Sequence, residues 1–244
     1  MNMGMESLKN LPVWEYLAKT LLWEQLSFVR DSCVLDFGSG TGITAAYLAS
    51  LGNTVTAIEP SAEMLEERVQ EYEYTQLIGG EEILSTIPDT SMDMICCHNV
   101  LEYLPDKAFV LREFARILNP GGILSVCKHN KPGRVMQMAV LLNRFDHAKE
   151  LLNGKDGSSA QFGTIRYYEN KDLQQMCPGF TVKAIHGLRT FWDLQQNQEI
   201  QKDPVWQEQM LSLERRCADL EPYRSIAFLH HILLQKNTTQ GEGL

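Results

Sequence analysis

The sequence has no apolar run approaching the length that crosses a bilayer, so a helical membrane protein is not expected. Its opening, MNMGMESLKNLPVWEYLAKTLLWEQL, lacks a basic start, a compact apolar segment and a small-residue cleavage site. No secretory signal is therefore expected, and the cytoplasm is the expected compartment. The six cysteines, at positions 33, 96, 97, 127, 177 and 217, include no CxxC pair with zinc or redox spacing. Cys33, Cys96 and Cys127 lie in apolar runs, where a thiol acts as a small hydrophobe, and no metal site is expected. Basic residues are outnumbered, 22 against 31, which leaves a net charge of −9 and no general attraction to a phosphate backbone. DNA is not an expected partner, although a local patch could still hold nucleic acid. No repeat, coiled coil or low-complexity segment is visible, and no Ser-His-Asp or paired-carboxylate arrangement can be read.

What remains is an ordinary globular composition, 44% hydrophobic and 22% charged over 244 residues, long enough to bury a real core. Short apolar runs alternate with helical patterns. Strands are expected at Cys33 to Phe37, Thr54 to Ile58, Tyr74 to Ile78, Met92 to Cys97 and Gly122 to Cys127, and helices at Ile43 to Leu51, Ala62 to Glu73 and Lys107 to Leu118. Buried strands separated by helices of this length make right-handed crossovers and an α/β fold whose parallel sheet is covered on both faces. Asn119-Pro120-Gly121-Gly122 stops one helix before the fifth strand, and Ser61 stands as the N-cap of another. Farther on, a helix is expected from Arg134 to Asn143, a loop at LLNGKDGSSAQFGT, a short helix opened by Asn170 and a long one over Pro204 to Leu220. Strands at Thr181 to Gly187 and Ser225 to Leu234 read as an edge pair completing the sheet, and KNTTQGEGL as a frayed tail.

The chemistry-bearing stretch is VLDFGSGTG, Val34 to Gly42. A strand that ends in an acid and runs through Gly38, Gly40 and Gly42 into a helix brings bare backbone against a ligand. A dinucleotide fingerprint, G-x-G-x-x-G, would need glycine where Ile43 stands, which counts against NAD or FAD. Glu59 closes the second strand, where a carboxylate can accept both hydroxyl protons of an adenosine ribose.

These residues resemble the first two motifs of the class I S-adenosylmethionine-dependent methyltransferases. IGGEEIL, MDMICCHNVLEYL and LREFARILNPGGILSV resemble three later motifs in the same order, and together they run from about Val34 to Val126. The resemblance implies a Rossmann-like seven-stranded sheet with an antiparallel last strand, and S-adenosyl-L-methionine as cofactor. It places Asp36, Gly38, Ser39, Gly40 and Gly42 at the methionine end and Glu59, with Pro60 and Met64, at the ribose. Gly80 with Glu81 or Glu82 falls at the adenine, and His98 and Asn99 beside the cofactor. One domain over 1–244 is implied, with N-terminal helices at 8–30 and an insertion at 129–175 capping the site.

FDHAKELL, HGLRTFWDL and LERRCADLEPYRSIAFLHHI resemble segments of bacterial enzymes that methylate the carboxyl group of 5-carboxymethoxyuridine in tRNA. That likeness puts Arg189, Tyr223 and Arg224 where substrate-facing residues lie, and Asn130, Phe145 and Asp146 in the cap. An arginine fork could hold a carboxylate at the methyl, although Arg189 could equally pair with Asp193. The chain departs from those enzymes at NGKDGSSAQFGT, where they carry a basic run. Lys128, Lys131, Arg134 and Arg144 cluster in sequence without interleaved aromatics. A small-molecule acceptor, such as a carboxylate, is the leading expectation, with tRNA next, and a non-catalytic cofactor-binding or protein-interaction module and a nicotinamide oxidoreductase behind. His98, Arg189 and Asn130 are the candidate catalytic residues, with His129 and His186 as further bases to test. Trp14 and Tyr16 could wall the acceptor pocket. A monomer or homodimer is expected.

Overall fold

In the computed structural model, which describes residues 5–159 and 162–238, the strands are β1 (Cys33–Phe37), β2 (Thr54–Glu59), β3 (Thr75–Ile78), β4 (Met92–His98), β5 (Leu118–His129), β6 (Gly157–Ser159), β7 (Gly163–Ile165), β8 (Phe180–Leu188) and β9 (Leu229–Lys236). Seven of them form one sheet in the order β3-β2-β1-β4-β5-β9-β8, mostly parallel with an antiparallel β9–β8 pair at the edge. The order reverses at β1, where consecutive crossovers go to opposite sides; ligands of open α/β sheets bind outside the carboxyl ends of the strands at such a point.

Packing divides the chain into two compact units. Of the described residues, the first takes Ser27–Val126, Glu169–Ala184 and 232–238; the second takes 5–26, Cys127–Tyr168 and Ile185–His231. The first contains β1 to β4 and the helices α2 (Ile43–Ser50), α3 (Ala62–Glu66) and α4 (Lys107–Ile117), following α1 (Val13–Leu26) of the second. In α4, Val110, Leu111, Phe114 and Ile117 recur at helical spacing and are fully buried, while Asp106 caps the helix by accepting from Phe109 N at 2.9 Å. Phe114 meets Phe37 of β1 edge-on at 5.4 Å, so its truncation to alanine would cost about 3–5 kcal/mol. The second unit holds α5 (Lys131–Met136), α6 (Phe145–Leu152), α8 (Pro204–Cys217) and α9 (Tyr223–Ile226), and α7 (Asn170–Met176) lies in the first.

Five local expectations shift. The strand expected from Ser225 begins at Leu229, because Tyr223–Ile226 closes a helical turn first, with Ala227 N donating to Arg224 O. The helix expected to reach Glu73 ends at Glu66, because Val69 N turns to Thr41 O at 2.8 Å instead of continuing the helical ladder. The fifth strand begins earlier, at Leu118, where Lys236 Nζ and Gln235 Nε2 donate to the carbonyls of Leu118 and Gly121 at 2.7 and 3.0 Å. The helix expected from Arg134 starts at Lys131, with Pro132 in its first turn, and passes into a π turn over Gln137–Leu141. The stretch read as a loop holds the antiparallel pair β6–β7. Residues 160–161 of that stretch and 239–244 of the expected tail lie outside the described residues. Among the described helices, none is long and apolar enough to cross a membrane.

Candidate active site

Sheet register brings four sequence signals to one edge of the first unit. Phe37 pairs with Ile58, Glu59 with Ile78, and Asp36 with Cys96, so Gly38 and Gly79, just past their strands, and His98, the last residue of β4, stand at about one level with Glu59. Gly38, Gly40 and Gly42 all have positive φ, at 73°, 58° and 74°. Their reasons differ. A Cβ on Gly38 would meet Val100 at 2.3 Å and one on Gly42 would meet Tyr74 Oη at 1.9 Å, whereas nothing lies within 4 Å of one on Gly40. Two glycines are bare because the protein fills the space, and the third faces an opening.

The turn is fastened by Glu59, which is buried. Its Oε2 accepts from Gly40 N at 2.8 Å and its Oε1 from Ser61 N at 2.9 Å, while Gly38 N and Ser39 N both donate to Ile58 O. Each carboxylate oxygen keeps further lone pairs for a ligand hydroxyl. Beneath the turn, Tyr74 Oη donates to Val69 O at 2.8 Å and accepts from Arg68 Nε at 3.1 Å, with the guanidinium 4.5 Å from the ring centre. Burial raises the Tyr74 phenol above its usual range against the lowering effect of Arg68, so it remains a neutral donor.

Glu81 and Glu82 separate. Glu82 is exposed and accepts from Gly80 N at 2.8 Å, a bond that lowers its carboxyl below the usual range; Glu81 Oε2 is buried without a protein partner. Ser39 Oγ is likewise buried and unpartnered. Asp36 is buried, His98 Nε2 lies 2.8 Å from Ser125 Oγ, and Asn99 is exposed with φ 57°. Met64 N donates to Ser61 Oγ at 3.2 Å and its side chain is half-buried, while Pro60 is exposed. An open glycine, an acid with spare lone pairs and two buried orphan oxygens on one sheet edge fit an adenosine-bearing ligand.

In the second unit, Arg189 is buried, in the left-handed region at φ 60°, with Nη2 donating to Asp193 Oδ1 at 2.6 Å. Its guanidinium carbon stands 4.4 Å from the Phe228 ring centre and 5.2 Å from that of Trp14. Asn130 is buried and donates to the carbonyls of Ser225 and Ala227 at 2.9 and 2.8 Å, tying the start of α5 to the approach of β9. Tyr16 is half-buried; Tyr223 is exposed, 5.7 Å from the Phe191 ring; Arg224 binds Glu221 at 2.8 Å. His129 meets Phe228 edge-on, and His186 Nδ1 pairs with Asp219. Cations sit on aromatic rings throughout this unit: Lys128 is 4.9 Å from Tyr168, Lys131 5.6 Å from Tyr167 and Arg134 5.8 Å from Phe228. Their sequence neighbours gave no hint of this, because the rings come from positions far along the chain.

Residues 35–126 match the model of the methyltransferase domain. The chain is 29% identical over 234 residues to the tRNA 5-carboxymethoxyuridine methyltransferase of Escherichia coli K12, covering 90% of this chain and 88% of that one. It is 33% identical over 115 residues to the ubiquinone biosynthesis O-methyltransferase of Aeromonas salmonicida, covering 44% and 48%. Among solved structures, the fold is similar to a methyltransferase in complex with the Haloferax volcanii Trm112 methyltransferase activator (TM-score 0.62, 16% identity, 95% and 93% coverage). It is similar as well to an S-adenosylmethionine-dependent methyltransferase of Mesorhizobium loti (TM-score 0.59, 15% identity, 94% and 100% coverage). The chain is an S-adenosylmethionine-dependent methyltransferase. One relative is named for a tRNA and the other for ubiquinone biosynthesis, so the class is defined ahead of the acceptor.

Proposed function

We propose that this methyltransferase esterifies a carboxylate, and that the carboxyl group of tRNA 5-carboxymethoxyuridine is the acceptor. The observation that carries the reading is the set of cations seated on aromatic rings in the second unit, Lys128, Lys131 and Arg134. Such a set offers charge to an anion and ring faces to a base. The similarity to the Escherichia coli tRNA enzyme supports it, because that match runs through the second unit, well past residues 35–126.

Cofactor binding is assigned to the first unit. Glu59 accepts the ribose hydroxyls while keeping Gly40 and Ser61, Gly40 leaves room for the amino-acid end beside Asp36 and Ser39, and Glu81 accepts from the adenine amino group. Glu82 is spent on Gly80. When bound, S-adenosylmethionine supplies an electrophilic methyl on a sulfonium sulfur, which a carboxylate oxygen takes with no proton to move. The protein's task is then alignment and exclusion of water rather than base catalysis, and His98, fixed by Ser125, lines the site as a positioned polar group.

A small carboxylic acid is the second reading, favoured by the net charge of −9 and by the near absence of cations in NGKDGSSAQFGT. Transfer from labelled cofactor, run in parallel on bulk tRNA lacking the wobble ester and on a low-molecular-weight cell extract, separates the two. Base-labile label in RNA is the expected result; label confined to small molecules rejects the tRNA acceptor.

A further inference from the structure

The second unit contains a buried polar set that the fold does not satisfy by itself. Residues 189 to 192 form a strained turn held by Glu214 of α8, which is 2% exposed. Its Oε2 accepts from Thr190 N at 2.8 Å and its Oε1 from Phe191 N and Trp192 N at 2.8 and 3.2 Å. One carboxylate thus binds three successive backbone amides immediately after a non-glycine residue in the left-handed region, a conformation that persists only where the surroundings enforce it. Gln137 Nε2 donates to Asp193 Oδ1 at 2.8 Å, the same oxygen that Arg189 Nη2 reaches at 2.6 Å. Phe228 and Trp14 flank the guanidinium. So heavily fixed an arginine is not free to wrap a carboxylate, which would have to compete with Asp193.

Three polar atoms of this set have no partner among the described residues: Arg189 Nε, Asp193 Oδ2 and Thr190 Oγ1. All are fully buried, and their residues are only 6%, 3% and 2% exposed. Orphaned buried donors and acceptors are costly and rare, and three within five residues ask for an external partner. Their chemistry is specific: a donor that is always protonated, an acceptor-only carboxylate oxygen and a hydroxyl.

We infer that Arg189, Asp193 and Thr190 form a recognition site for a carbonyl–NH–carbonyl edge, the imide edge of a uracil-type base, with Arg189 Nε and the Thr190 hydroxyl donating to the two carbonyls and Asp193 Oδ2 accepting from the ring N–H. The inference rests on the tRNA reading and refines it: Arg189 reads the base, and the carboxylate falls to other cations of the unit. Trp14, 46% exposed at the first turn of α1, lies over the guanidinium, and admission of a planar base turns its ring aside.

The test compares two synthetic anticodon stem-loops, one with 5-carboxymethoxyuridine at the wobble position and one with the same base methylated at N3. Binding is measured with S-adenosylhomocysteine present, so that no methyl transfer is needed. The intact chain should prefer the unmodified N3–H by at least about tenfold, since a site built to pair an N–H rejects the analogue lacking it. Asp193→Asn, which puts a donor or a neutral oxygen where the carboxylate stood, should reduce that preference to within about twofold. Thr190→Val guards against misfolding of the first variant. The threonine hydroxyl has no protein partner, so this change should leave the melting temperature level and lower stem-loop affinity about tenfold. Equal binding of the two stem-loops by the intact chain, or a Thr190→Val protein with unchanged affinity, overturns the inference alone. Full N3–H preference with no ester formed on either RNA overturns the acceptor reading instead.

Discussion

Gly40 and Gly42 should fail in opposite ways when each is replaced by alanine. At Gly40 the only cost to the ligand-free protein is the left-handed backbone at φ 58°, about 1–2 kcal/mol, because nothing lies within 4 Å of the new Cβ. That corresponds to a melting shift of roughly 2–8 °C for a chain of this size. The same Cβ would stand in the space assigned to the cofactor, where overpacking by one methyl costs about 1–3 kcal/mol and weakens S-adenosylhomocysteine by roughly fivefold to 150-fold. At Gly42 the backbone cost is similar, but the new Cβ lies 1.9 Å from Tyr74 Oη and 2.7 Å from its Cζ. Tyr74 must move, which sacrifices its bond to Val69 O and its stacking with Arg68. Adding about 1 kcal/mol for the hydrogen bond, about 0.5–1 for the cation–π contact and about 1–3 for repacking to the backbone cost gives a total of about 3.5–7 kcal/mol. Thermal melts of the ligand-free variants and calorimetric titration with S-adenosylhomocysteine give both axes. If Gly40→Ala binds the cofactor product like the parent, the turn does not face the ligand. If Gly42→Ala melts no lower than Gly40→Ala, the packing of Tyr74 beneath the turn is misread.

Acid should destabilise the protein through His230. Burial pushes its imidazole down to about 4, helped by Lys128 and Arg224, while its Nε2 donates to Arg224 O at 2.9 Å. The unfolded chain takes up this proton near pH 6.5 and the folded one near 4, so stability is lost as pH falls across that window, by about 3 kcal/mol in all. His230→Gln should flatten the pH dependence of the melting temperature between pH 6.5 and 4, and an unchanged slope would contradict the assignment. Arg116 fastens the turn that carries Glu81: its Nη2 donates to Leu84 O and its Nη1 to Ile87 O, both at 2.8 Å. Arg116→Met should cost about 2 kcal/mol of stability, measured by urea unfolding, after allowing for its partly exposed head. A loss below a few tenths would show that water replaces these bonds.

Much of the first unit was legible because its signals are local. The glycine turn, the acid at the end of β2, the Ser61 cap and the alternation of apolar runs with helical periods each lie within a few consecutive residues, and β1 falls at Cys33–Phe37 as the pattern implies. Helix α3 is shorter than its pattern because Val69 leaves to bind Thr41, a contact between segments that the helical period cannot register. Arg189 shows the limit more sharply. Its identity and a nearby Asp193 are visible in HGLRTFWDL, but Trp14, Gln137, Glu214 and Phe228 reach it or its turn from four other parts of the chain.

The sequence alone determined the frame of the protein: a parallel sheet, a turn of bare backbone and an acid at the end of β2 are consequences of residue type at short spacing, and the class followed from the resemblance of five ordered motifs. Tertiary structure alone decided which glycine has open space beside it, which of Glu81 and Glu82 is spent on the backbone, and that Arg189 is already paired. Those questions turn on which atoms remain without partners after folding, and a chain acquires that property only when distant segments meet.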